Sequence, residues 1–353
     1  MRFLSHSRTF ALSHFRAGIA GALLAVALAA CGPREGGGTP EGPQIRVTVP
    51  RGANLTAVAD SLAAKGIVDS GEDFRKFARK QEADTRLKPG IYEFQRGTRW
   101  SAIVAKLVSG DVVKVRVVVP EGYRLRQIAD RLATAAGIPA DTIYRRLAVD
   151  SVAQRYAVPG PTLEGYLYPA TYTFPLGTPL DSMVSQMVRA YKRQWTPEMR
   201  QRAQALGMDE RQVVALASIV ESEAKEWSER PTISAVYHNR LKKGMRLEAD
   251  PTVQYALAER RARLLFRDIE SVAENPYNTY RNKGLPPGPI GSPSKGAIEA
   301  ALNPAPVDYL FFVARPNGTH VFTRSFAEHT AAVRASRREA REAAARAAQP
   351  KAR

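Results

Sequence analysis

"VPRGANLTAVADSLAAKGI" (Val49 to Ile67) returns 70 residues on as "VPEGYRLRQIADRLATAAGI" (Val119 to Ile138). Pro50 matches Pro120, Gly52 matches Gly122, Leu55 matches Leu125, and Asp60 matches Asp130. A weaker copy, "FQRGTRWSAIVAKLVSG", starts at Phe94 and sets Gly97, Trp100, Ile103 and Leu107 in the equivalent places. Each copy reads as a short strand, a glycine turn and a helix with apolar residues at i, i+3 and i+7. Leu55, Val58 and Leu62 form that stripe in the first copy.

Such strand–turn–helix units resemble LysM modules, which bind glycans containing N-acetylglucosamine; a duplicated unit that binds nothing has the same pattern. The expected fold class is α+β. A LysM-like βα repeat subdomain over residues 45–155 precedes a mixed, largely helical domain over residues 156–333 with a small β-hairpin.

Upstream of the repeat, "GPREGGGTPEGPQ" reads as a flexible tether over residues 32–44, with folded sequence from near Ile45. Residues 1–31 read as a signal, lipoprotein or membrane anchor. Arg2, Arg8 and Arg16 precede the 14-residue apolar run "AGIAGALLAVALAA", too short to span a bilayer without flanking residues, since a span takes about 20. The run ends in "LAAC", which resembles a bacterial lipobox and makes Cys31 the candidate lipidation site. Cys31 is the single cysteine, so neither a disulfide framework nor a cysteine metal site is available. Lys and Arg outnumber Asp and Glu by 52 to 34, a net charge of +18. That surface suits nucleic acid, anionic lipid or an acidic wall polymer. An exported chain argues against nucleic acid.

Downstream, "PTLEGYLYPATYTFP" reads as an extended or surface segment rich in aromatics and proline. Helices are expected at Leu180 to Gln194, Pro197 to Leu206, Glu210 to Ala224 and Arg230 to Lys242. "YLFFVA" and "HVFTR", joined by "RPNG", make the hairpin. Residues 334–353 form a basic Ala-rich tail. On the helix from Glu210, Val213, Leu216, Val220 and Ala224 make one stripe. Glu221 leaves at its edge, beside the small Ala217 and Ser218, which would leave room for a substrate. Partial desolvation there raises a carboxyl's pKa, as a general acid requires. The plain alternative is a boundary Glu paired with Arg or Lys. Glu223 and Glu226 read as solvated charges.

Five segments in order then carry a resemblance: "LEGYLYPATYTF" at Leu163, "ASIVESEA" at Ala217, "VYHNRLKKGMRLEADPTVQYAL" at Val236, "YNTYRNKGLPPGPIGSPSKGAIEAALNPA" at Tyr277, and "DYLFFVARPNGTHVFTRSFAEH" at Asp308. The chain resembles the endolytic murein transglycosylase family (MltG, or YceG-like proteins) from about Ile45 to His329. The resemblance implies cleavage within peptidoglycan glycan strands, leaving 1,6-anhydro-N-acetylmuramic acid ends, with Glu221 as the catalytic carboxylate. It also implies a membrane anchor, a link to peptidoglycan synthases, and a catalytic domain in the periplasm on the inner membrane. The family usually keeps an uncleaved transmembrane helix, from which "LAAC" departs. His238, Glu248 and Ala170 also depart from the family pattern, so His238 is not read as a catalytic imidazole.

Around Glu221, Tyr277, Asn278, Thr279 and Tyr280 suit sugar faces and hydroxyls, although Asn and Thr in "YNTY" equally suit capping of their own loop. Asn239 and Arg240 follow a helix and suit muramyl lactate or peptide carboxylates; a structural ion pair suits Arg240 as well. Asp250 is a site residue or a helix N-cap, and Glu164 a second carboxylate. No cofactor and no metal are expected. A non-catalytic, membrane-tethered glycan-binding protein is the alternative reading, and a basic scaffold for lipids or wall polymers a third.

Overall fold

The duplication is structural as well as sequential in the computed structural model, which describes residues 35–257, 259 and 261–348. Cys31 and the apolar run before it lie outside those residues. The first copy is β1 (Glu41–Val49), α1 (Leu55–Ala64), α2 (Gly71–Lys80) and β2 (Gly90–Arg96), followed by α3 (Trp100–Ser109). The second is β3 (Lys114–Val119), α4 (Leu125–Ala136), α5 (Ala140–Leu147), the short α6 (Asp150–Arg155) and β4 (Ala170–Pro175).

In each unit the two strands pair antiparallel, with Val47 opposite Tyr92 and Val117 opposite Tyr172. Alternation puts Val47 and Val49 inside in one, Val117 and Val119 in the other. The tyrosines behave alike: Tyr92 Oη donates to Lys88 O and Tyr172 Oη to Tyr168 O, both at 2.6 Å. Gly52 and Gly122 make the strand-to-helix turn at φ +80° and +72°, conformations that a side chain disfavours. The weaker copy at Phe94 is β2 leading into α3, so it shares the first unit and does not form a third.

The chain is ordered ahead of Ile45, contrary to the expected tether. β1 begins at Glu41, Gly38 N donates to Gly97 O, and Trp100 N donates to Gly36 O. The first N–H groups of α3 need acceptors from outside the helix, and this strap supplies one.

The remaining elements are α7 (Leu180–Lys192), α8 (Pro197–Ala205), α9 (Glu210–Glu223), α10 (Arg230–Lys242), α11 (Asp250–Ala256), α12 (Phe266–Ser271), α13 (Lys295–Leu302), β5 (Phe311–Ala314), β6 (His320–Thr323) and α14 (Phe326–Ala348). The four helices expected between Leu180 and Lys242 are all present. β5 and β6 form the hairpin, closed by Arg315 N on Thr319 O. Residues 334–348 of the Ala-rich tail continue a helix that starts at Phe326, and the rest of the tail lies outside the described residues. Among the described residues no helix is long and apolar enough to cross a membrane.

Buried apolar side chains fall into two clusters, one from Val47 to Leu107 and one from Val117 to Leu302. The division lies before β3 rather than at residue 155, where the sequence pattern sets the subdomain limit. The second βααβ unit therefore shares its core with the helices that follow. α9 runs through that core: Val213 to Val220 are all buried, and α10 and α13 pack on it. It is enclosed on every side instead of showing the single apolar stripe expected. Asp209 and Gln212 close a capping box at its start, which fixes where its last turn falls.

One loop locks the second unit to this helix. Gly122 N donates to Ser292 O at 2.8 Å, Ser292 N donates to Tyr123 O at 2.9 Å, and Ile290 N donates to Ser218 Oγ at 3.0 Å. Ser218 thus anchors a loop and leaves no room there for substrate. A Cβ at Gly291 would lie 2.7 Å from the backbone oxygen of Gly122. Gly291→Ala should cost about 1–3 kcal/mol of overpacking strain and lower the urea midpoint. An unchanged midpoint would mean that the two segments are not held this closely.

Candidate active site

Glu221 sits on the last turn of α9 with its side chain 7 % exposed. Oε1 accepts from Arg230 Nη2 at 2.6 Å; Oε2 accepts from Ser294 N at 2.9 Å and from Ser294 Oγ at 2.5 Å. Arg230 opens α10, is itself 5 % exposed, and also donates through Nη1 to Ser294 Oγ at 3.0 Å. Ser294 is the N-cap of α13, its Oγ accepting from Ala297 N. The carboxyl therefore lies against the positive end of a helix and a guanidinium. Burial beside the apolar face is as expected, but isolation is not. Every neighbour bonded to Glu221 donates, so what they complement is the carboxylate. The guanidinium pair is the one that the plain alternative foresaw.

Gly122 lies over this carboxyl: a Cβ there would be 3.8 Å from Glu221 Cγ. The preceding residue, Glu121, has its carboxyl raised by desolvation and then by the Glu221 charge, with Arg230 opposing. Glu121 thus lies within electrostatic reach of both Glu221 and Arg230, while of the two carboxyls only Glu221 is paired with the guanidinium.

Beside them opens a cleft of about 560 Å³. Gly122, Arg124, Arg126, Gln127 and Asp130 form one wall, and Ser222, Glu223, Asp250, Pro251, Gln254 and Ile290 the other. The second βααβ unit therefore supplies half of the cleft. Glu223 is not the solvated charge expected from sequence. Tyr237 Oη donates to its Oε1 at 3.0 Å, and burial pushes its carboxyl up to about 7, with Asp250 adding to the rise.

The other sequence candidates divide between cleft and scaffold. Asp250 lines the cleft as the first residue of α11, the cap being Ala249, and Tyr280 Oη donates to it at 2.6 Å. Tyr277 packs on Tyr255 with ring centroids 4.7 Å apart, next to Glu164. Glu164 is 5 % exposed and accepts from Leu125 N at 2.9 Å, so it caps α4; desolvation pushes it up to about 7.

Asn278 and Thr279 are fully buried. Asn278 donates to Ile269 O and Val272 O, while Thr279 Oγ1 accepts from Ala249 N and bonds Thr252. The loop-capping alternative describes Asn278, whose Oδ1 also accepts from Tyr280 N, whereas Thr279 fastens the loop to the start of α11. Asn239 and Arg240 lie within α10 rather than after it and fasten the hairpin side of the domain. Asn239 donates to Val307 O and Tyr309 O, and Arg240 to Leu310 O and Leu247 O, with Glu248 as its ion-pair partner. His238 bonds Ala301 O, and burial lowers its pKa, which suits a structural imidazole.

Sequence reasoning did not single out Arg230, Ser294, Glu121 or Glu223. The available signal was the pairing of a helix-opening arginine with a serine that begins "SKGAIEAAL". Among the described residues no group of three or more His, Cys, Asp or Glu could hold a metal.

The sequence profile of the YceG-like family matches residues 47–335. An endolytic murein transglycosylase from Bacillus subtilis (strain 168) is 32% identical over 307 residues, 82% of this chain and 83% of that protein. One from Streptococcus pneumoniae serotype 2 is 28% identical over 299 residues, and the match spans 54% of its length. The crystal structure of a YceG-like protein from Listeria monocytogenes superimposes with a TM-score of 0.56 at 34% identity, covering 81% of this chain and 98% of that one.

Glu164 and Glu223 tie stability to pH in a definite direction. Each is raised from 4.5 to about 7, so between those values the folded chain keeps a proton that the unfolded chain has released. Their contribution is full below pH 4.5, is lost as pH rises through about 7, and then levels off. In urea unfolding, Glu164→Gln and Glu223→Gln should each flatten the fall between pH 5 and 7.5 by up to roughly 3 kcal/mol. Identical slopes in wild type and both variants would contradict the assignment.

Proposed function

The chain belongs to the YceG-like family, and on that premise we propose that it is an endolytic transglycosylase that cuts peptidoglycan glycan strands, with Glu221 as its catalytic carboxylate. The observation that carries the reading is Glu221 itself, held by Arg230 and Ser294 where the cleft wall of one unit meets the helix of the other.

The chemistry needs one carboxyl and no water. Protonated Glu221 gives its proton to the glycosidic oxygen leaving N-acetylmuramic acid, and the C1–O bond breaks toward an oxocarbenium-like centre. The carboxylate left behind takes the proton of the same sugar's C6 hydroxyl, whose oxygen bonds C1 and closes the 1,6-anhydro ring. An intramolecular hydroxyl outcompetes water through its effective molarity. This differs from the two-carboxylate scheme of most glycosidases. Arg230 and the Ser294 donors suit the carboxylate half of the cycle. Glu121 stands beside this site, its own carboxyl raised by desolvation and by the Glu221 charge.

The βααβ order of the first unit, which the second repeats with the short α6 added before its last strand, supports a LysM-like role in holding the strand, with the second unit doing so at the cleft. We place the protein at the cell envelope, tethered through its N-terminal segment to the inner membrane with Cys31 as lipidation site, its catalytic part in the periplasm, within reach of peptidoglycan synthases.

Incubation with purified sacculi followed by mass spectrometry tests this. Wild type should release internal fragments ending in anhydromuramic acid. Glu221→Gln should release them at least about 100-fold more slowly. Reducing ends would make the protein a hydrolase. Binding without release by wild type would favour the non-catalytic glycan-binding protein.

A further inference from the structure

The chain has three tryptophans. Trp100 and Trp195 are core residues at 8 % and 7 % exposure, whereas Trp227 is 70 % exposed. It opens the 3-10 turn Trp227–Glu229 between α9 and α10. The Arg230 guanidinium lies 4.9 Å from its ring centroid, and that same guanidinium holds Glu221 at 2.6 Å. The indole is thus two contacts from the catalytic carboxylate.

The turn that carries it is pinned. Glu229 accepts from His320 N at 2.9 Å and bonds His320 Nδ1 at 2.7 Å, which ties the turn to β6. A cation over an aromatic face restricts the ring as well. Exposed Phe266 and Phe326 have no such link to Glu221: Phe266 opens the short α12, and Phe326 packs on Phe311.

We propose that Trp227 is a sugar-stacking platform that holds a pyranose ring of the glycan strand next to the ring being cleaved. The inference rests on the reading of the substrate as peptidoglycan. A pyranose presents a face of C–H groups, and an indole offers a flat apolar face of similar size with a polar N–H at its edge. Even with Arg230 against its ring the indole is 70 % exposed, which leaves apolar ring surface open to a ligand. Loops fixed beside a rigid scaffold are where binding groups are placed, and this one follows directly on the α9 turn that carries Glu221, Ser222 and Glu223, the last two of which line the cleft. Ordering the ring in advance lowers the cost of binding. The platform contributes to holding the strand, not to proton transfer.

The test uses the full chain in a Glu221→Gln background, confirmed as folded by circular dichroism, so that strands bind with cleavage slowed, and strand binding by wild type on ice serves as the second parent. The probe is peptide-free murein glycan strands. Trp100 and Trp195 are buried, so acrylamide-quenchable fluorescence reports Trp227. Strands should reduce quenching severalfold. Adding Trp227→Ala should weaken strand binding about tenfold, equivalent to 1.4 kcal/mol, and Trp227→Phe should restore most of it. In otherwise wild-type protein, Trp227→Ala should raise KM with kcat within about twofold. Strands that bind without protecting Trp227, or an unchanged affinity in the Ala variant, would overturn the platform and leave the substrate reading intact. No strand binding by the parent would overturn both. Protection by phosphatidylglycerol–phosphatidylethanolamine vesicles, and not by strands, would reassign Trp227 to a membrane surface.

Discussion

The buried contact of Glu221 with Arg230 and Ser294 is the constraint from which the rest of the molecule follows. A carboxylate and a guanidinium taken out of water each lose several kcal/mol of hydration, recovered only when pairing and hydrogen bonds are nearly complete. Here the last turn of α9, the first turn of α10 and the cap of α13 must all meet at one point. That requirement explains why α9 is buried from Val213 to Val220 and why Gly291, whose Cβ would meet the backbone oxygen of Gly122, stands beside it. A buried pair is weak evidence of added stability. It is good evidence that position was worth the desolvation.

The duplicated βααβ unit shows how one scaffold serves two purposes. The first copy closes its own core. The second merges its core with the helices around Glu221 and lends its glycine turn and α4 to the cleft. The repeat position that is Arg51 in the first copy is Glu121 in the second. The charge is reversed where the turn comes to lie beside Glu221, and the carboxyl there feels both that charge and Arg230.

What could be read from sequence was what is local. The helices from Leu180 to Lys242 follow from period and caps, and the hairpin from "RPNG", because backbone geometry and apolar spacing are encoded within a few residues. Glu221 stood out through its place at the edge of an apolar stripe, and through resemblance. The fate of Asn278, Thr279, Asn239 and Arg240 could not be read, because polar groups that suit a sugar suit a buried backbone carbonyl equally well, and only the tertiary fold says which they meet. Glu223 was missed for the converse reason: its burial and its neighbours Tyr237 and Asp250 are products of the tertiary fold. The strap at Gly36 was hidden by composition, since glycine and proline mark both tethers and tight edge segments.

A double-mutant cycle between Glu221 and Arg230, read by urea unfolding at neutral pH, tests the central claim most directly. If the pair is the buried knot described, Glu221→Gln and Arg230→Met should each cost about 3–5 kcal/mol by stranding the other partner. The double variant should then cost little more than either alone, a coupling of at least about 2 kcal/mol. Additive losses, with no coupling, would mean that the two side chains are not paired in solution, and the account of the site would fall with them.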